Sequence, residues 1–200
     1  MGGRESGRRS THWSTAGAVD MTNDLLTIGA CAACAYLALR WLGPSEAKGR
    51  PGLALDRLVL VGDSHVEALG PALKRLVAVE WLAKRGESVS SFAIKHGPTA
   101  TELAKKSTLV LVSLGSNGEA SAKDASDLHR KLTGSGSPVI WLPPPAEKGA
   151  KVAKALKEAG VPAFIWSAPS SLVRDGIHLT PEGYSCWAKE IWRTLKNRTA

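Results

Sequence analysis

The chain has 200 residues and a formal charge of +8, from 26 basic and 18 acidic side chains. Its 44% hydrophobic and 6% aromatic content suits one globular domain with a modest appendage and excludes a fibrous or wholly disordered chain. The basic excess would draw an anionic glycan, a membrane surface or a nucleic acid. No zinc-finger spacing, RNP-like string or arginine stripe is present, so no specific nucleic-acid partner is expected.

Residues 1–24 are polar and Gly/Ser-rich, with Arg4, Arg8 and Arg9, and read as a flexible basic tail. Residues 25–42 form the most continuous apolar stretch, with Arg40 the only charge and Trp41 and Leu42 after it. As a helix this stretch would be about 27 Å long, close to a thin hydrocarbon core. Arg40 would snorkel and Trp41 would sit at the interface. It is therefore read as a hydrophobic helix and candidate membrane anchor, which favours a membrane or envelope location over the cytoplasm. A secretory signal and a helix docked on the domain stay open, as does a start at Met21. Residues 43–56, framed by Gly43-Pro44 and Pro51-Gly52, read as a linker, and 57–200 as the domain.

Three cysteines do not make a disulfide framework. Cys31 and Cys34 would lie at i and i+3 of an apolar helix as small packers, and Cys186 is expected to pack in the last helix.

From Leu58 the pattern alternates. Leu58–Val61 reads as a buried strand, 66–76 as a helix, and Val77, Val79 and Trp81 as a strand. A helix over 99–106 precedes a second strongly buried strand over 108–114. Helix 122–132, strand 138–142, helix 147–159, strand 161–166 and helix 182–196 complete the series. Strands apolar on both sides, separated by helices, predict a mostly parallel sheet covered on both faces. Active groups in such sheets gather beyond the strands' carboxyl ends, where Ser64, Gly86 and Asn117 all fall.

Ser64 follows a strand at Gly62-Asp63-Ser64-His65 and begins a helix, so its own N–H can face a developing oxyanion. Alone, Asp-Ser would serve equally as a helix cap. His178 is the candidate base, and Asp175, three residues earlier, can reach its Nδ1 and leave Nε2 for Ser64. Thr180-Pro181-Glu182 starts the final helix and anchors that loop. Asn117 and Gly86 can supply further oxyanion donors, an amide and an unobstructed backbone N–H. Among the other histidines, His12 falls in the tail, His96 and His129 are expected at the surface, and His65 is expected to point away from the substrate. Trp141 and Trp166 read as core residues before sugar-stacking ones, and Pro143-Pro144-Pro145 as a turn at the same rim.

Together these blocks resemble the SGNH hydrolases, also called the GDSL esterases and lipases, over Leu58 to Trp192. Gly62-Asp63-Ser64-His65 is similar to the first block, with His65 where leucine is common. Gly86 matches the second block and Gly115-Ser116-Asn117 the third, Gly118 standing where aspartate is frequent. Asp175 through Tyr184 resembles the last block. The resemblance implies a three-layer α/β/α sandwich with a mostly parallel, flavodoxin-like sheet. It also implies ester hydrolysis through an acyl-serine, with Ser64, Asp175 and His178 catalytic and the Ser64 N–H, Gly86 and Asn117 in the oxyanion hole. Neither metal nor organic cofactor is implied. The absence of a lid-sized insertion points to a short acyl group, such as O-acetyl on a glycan. The alternatives are an O-acyltransferase or a non-catalytic binding module on the same fold; nothing indicates an oligomeric state.

Overall fold

The computed structural model describes residues 55–118 and 120–197. The tail, the hydrophobic stretch and most of the linker lie outside the described residues, as do Cys31 and Cys34. Among the described residues no helix is long and apolar enough to cross a membrane.

Four strands form one parallel sheet: β1 (Leu58–Gly62), β2 (Val79–Ala83), β3 (Leu109–Ser113) and β4 (Val139–Trp141), in the order β2-β1-β3-β4. The central pair explains the layering. β1 reads Leu-Val-Leu-Val-Gly and β3 reads Leu-Val-Leu-Val-Ser, in register from Leu58 opposite Leu109. Because side chains alternate along a strand, the leucines of both strands face one side and the valines the other.

The leucine face packs against helices α1 (Ser64–Lys74) and α6 (Pro181–Lys196), through Leu69 and Leu73 of one and Trp187 and Ile191 of the other. The valine face is covered by α2 (Val89–Lys95), α3 (Gly97–Ala104), α4 (Ala122–Thr133) and α5 (Glu147–Glu158), through Phe92, Ala100, Leu128 and Val152 among others. The result is a three-layer α/β/α sandwich of the SGNH, flavodoxin-like type. β1 and β3 are neighbours, yet the chain leaving β1 enters α1 on the leucine face, whereas the chain leaving β3 reaches α4 on the valine face. Their carboxyl ends therefore border the crevice where ligands bind in such sheets.

The expected strand over 161–166 is reduced to a single bridge between Trp141 and Ala163. Trp141 donates to the Pro162 carbonyl and accepts from the Phe164 N–H, but Pro162 has no N–H with which to extend the pairing back along β4. The expected strand start at Val77 moves to Val79, because Leu76 and Val77 both donate to the Leu73 carbonyl at the end of α1. Helix α2 was not expected: Ser88 starts it by accepting from the Ser91 N–H at 3.2 Å. Cys186 is exposed, lying on the solvent side of α6.

Gly62 is where β1 can turn. A Cβ there would stand 1.8 Å from the Ser113 carbonyl oxygen of β3. Gly62→Ala must therefore part the central strand pair, and is expected to cost about 3 kcal/mol or more of unfolding free energy, read as a lowered urea midpoint.

Candidate active site

The rim beyond the strand ends is stitched together by backbone. The Lys84 N–H donates to the Gly62 carbonyl at 2.8 Å, tying the exit of β2 to that of β1. Asp63 ties β1 to β3: its N–H donates to Ser113 O at 3.1 Å, and its carboxylate accepts from the Ser116 N–H at 3.3 Å. The same carboxylate caps α1 by accepting from the His65 N–H at 3.1 Å. Asp63 is fully buried, and burial pushes its pKa up against these hydrogen bonds.

Ser64 is the first residue of α1, and its Oγ lies 2.9 Å from His178 Nε2. His178 Nδ1 lies 2.8 Å from Asp175 Oδ2. These partners are separated by 114 positions along the chain, and the loop that closes the distance is itself tightly built. Asp175 Oδ1 accepts from the backbone N–H groups of Ile177 and His178, at 3.0 and 2.6 Å. Arg174 donates to the His178 carbonyl, and Thr180 to that of Leu172, both at 2.8 Å. Thr180 then caps α6 through the Gly183 N–H at 3.1 Å, with Pro181 in the first turn. The His178 backbone N–H first, and its imidazole second, hold the Asp175 carboxyl far below the usual carboxylate range. An ionised carboxylate only accepts, so Nδ1 carries the proton and the Nε2 lone pair faces the Ser64 hydroxyl.

Asn117 and Gly86 lie on the loops after β3 and β2. The Asn117 amide donates to Glu87 O at 3.5 Å, which brings its loop against the residue following Gly86. That amide nitrogen carries a second proton. Gly86 is exposed with φ +74°, and nothing lies within 4 Å of where its Cβ would be.

His65 is the residue whose place sequence reading missed. It does not line the pocket over Ser64, as expected, but it is buried beneath the site instead of lying apart from it. It is wholly buried, its Nδ1 3.0 Å from the Tyr184 hydroxyl and its ring centroid 5.4 Å from that of His178. Trp187 meets it edge-on at 6.0 Å and in turn stacks on Trp166. Burial, and the neighbouring His178, bring the His65 pKa down from 6.5 to about 4, whereas burial pushes the Tyr184 phenol up to about 12. His65 therefore sits in the site as a neutral ring. The unfolded chain takes up this proton near pH 6.5 and the folded chain only near 4. Stability from this group is thus full above pH 6.5 and is lost as pH falls through that window, by about 3 kcal/mol in all. Asp63 acts with the opposite sign, since its raised pKa lets the folded state gain its proton first. His65→Leu isolates the histidine: its urea midpoint is expected to fall less than the parent's between pH 6.5 and 4.

His96 and His129, expected at the surface, are half-buried. His96 packs on Phe92 and lies 3.7 Å from Glu87, and His129 on α4 has its pKa lowered by burial. Trp141 is buried in the valine-face core. Among the described residues no three His, Cys, Asp or Glu side chains are grouped to hold a metal ion.

A pocket of about 390 Å³ opens over Ser64 and His178, with Ala68, Pro71 and Ala72 of α1 along one wall. A larger depression of about 470 Å³, against Gly97, Pro98, Thr101 and Glu102, contains none of the residues of this site.

The sequence matches no protein-family model and no curated protein sequence. Among solved structures, the fold is similar to the C-terminal catalytic domain of Streptococcus pneumoniae peptidoglycan O-acetyltransferase A, OatA, which carries a methylsulfonyl adduct. The likeness has a TM-score of 0.50 at 17% identity and covers 72% of this chain and 94% of that one. A second similar structure, from Streptococcus pneumonia, is provisionally described as a platelet activating factor. It matches at 13% identity with a TM-score of 0.48, over 88% of this chain and 98% of that one.

Proposed function

We propose that this protein is a serine-dependent acyl-transfer enzyme acting on a short-chain carboxylic ester, with an O-acetyl group on a glycan as its substrate class. The observation that carries this reading is the chain of two short contacts from Ser64 Oγ through the His178 ring to Asp175. In the proposed reaction His178 Nε2 takes the Ser64 proton as Oγ attacks the ester carbonyl, and Asp175 stabilises the imidazolium that forms. The Ser64 N–H at the start of α1, the Gly86 N–H and the Asn117 amide serve as oxyanion donors. His178 then protonates the departing alkoxide, leaving an acyl-Ser64 enzyme. The second half of the cycle delivers that acyl group to water or to a sugar hydroxyl deprotonated by the same histidine.

The fold likeness to a peptidoglycan O-acetyltransferase domain favours the sugar hydroxyl as acceptor. It also supports a cell-envelope setting, for which residues 25–42 would supply the anchor. Two measurements test the reading. Methylsulfonyl fluoride is expected to modify Ser64, seen by peptide mass spectrometry. p-Nitrophenyl acetate is expected to be cleaved faster when an acceptor glycan is present, with acetylated glycan as product. Neither labelling nor cleavage would overturn the proposal; cleavage without any transferred product would leave hydrolysis and remove the glycan-acceptor reading.

A further inference from the structure

The pocket over Ser64 and His178 is lined by three arginines from three different segments: Arg75 at the end of α1, Arg85 after β2, and Arg174 beside the His178 loop. No Asp or Glu lines it. Two of the three guanidinium groups are tethered from outside. Arg85 is paired with Glu67 of α1, and Arg174 lies 3.8 Å from Asp175. Arg75 has no ion-pair partner among the described residues. A cationic rim over an apolar wall, with one guanidinium uncommitted, suits an oxyanion carried on an otherwise apolar molecule.

We infer that the ester-bearing substrate is anionic, with a carboxylate or phosphate group that docks on Arg75, backed by Arg85 and Arg174. This rests on the proposal that Ser64 is the nucleophile, and it narrows the substrate beyond a short-chain ester. Guanidinium groups bind planar or tetrahedral oxyanions through paired N–H donors, so the contact fixes orientation as well as adding affinity. Arg85 and Arg174 add their charge beside Arg75, so the whole rim around the docked anion is cationic.

The test separates binding from chemistry. Ser64→Ala protein, which cannot turn over an acyl group, is titrated calorimetrically with para-acetoxybenzoate, para-acetoxyphenyl phosphate and the neutral para-acetoxybenzamide. At least one anion is expected to bind roughly tenfold or more tightly than the amide, and which one does so tells carboxylate from phosphate. Adding Arg75→Gln is expected to remove most of that preference, whereas Lys151→Gln, on α5, leaves it in place. Equal binding of all three probes, or a preference that survives Arg75→Gln, overturns the inference. Turnover of the amide probe by the parent protein reports separately on Ser64. If that ester is cleaved while no anion preference exists, the acyl-transfer reading stands and only the anionic substrate falls.

Discussion

Replacing Ser64 by alanine is expected to lower p-nitrophenyl acetate cleavage by about a millionfold in kcat. The substitution removes the hydroxyl that lies 2.9 Å from His178 Nε2. It leaves the cap on α1 intact, because that bond runs from the His65 N–H to Asp63. The urea midpoint should therefore stay close to the parent's, which separates lost chemistry from lost folding. His178→Ala is expected to lose about as much, and the double variant no more than either, since a nucleophile without its base and a base without its nucleophile are equally idle. Additive losses in the double variant, or substantial turnover in the Ser64 variant, would refute the assigned roles.

The second large effect is expected at Asp175. Asparagine in its place keeps a carbonyl oxygen for the Ile177 and His178 N–H groups, so the loop should survive. Its amide, however, can donate to Nδ1 and stabilise the tautomer with the proton on Nε2, which cannot accept from Ser64. A fall of about ten-thousandfold in kcat with little change in KM is expected from steady-state kinetics. An Asp175→Asn variant with parent-like kcat would mean that the carboxylate does not set the tautomer.

How much of this was legible in sequence depends on how local the signal is. β1 and β3 were readable because a short Leu-Val-Leu-Val run closed by Gly or Ser has the length and branching of a buried strand. The helix after Thr180 was readable from its cap and its proline. Position 161–166 looked equally apolar, yet Pro162 removes the donor that a strand there would need, and the ladder stops at one bridge. Helix α2 was hidden because its cap Ser88 and the two serines of its first turn, Ser90 and Ser91, carry no periodic apolar signal. That Ser64, Asp175 and His178 lie together could be anticipated from residue type and from their place after a strand or before a helix. His65 could not. Its burial depends on Tyr184, 119 positions away, and on the ring of His178 above it, and nothing adjacent in the chain announces either contact. The inward face of α6 was expected to include Cys186, but Trp187 and Tyr184 fill that side.

Ser64 opens α1, and His178 stands just ahead of α6, two helices that pack side by side on the leucine face. The reach between hydroxyl and imidazole is therefore an alignment between two rods, and the seam that maintains it runs through Leu69, Leu73, Trp187 and Ile191 well below the rim. A slip of half an ångström along that seam would scarcely register in a melting curve but would part the Ser64–His178 contact on which the proposed chemistry depends. Warming should accordingly silence turnover several degrees before the chain unfolds, and suppressors of such loss should map to the seam rather than to the pocket.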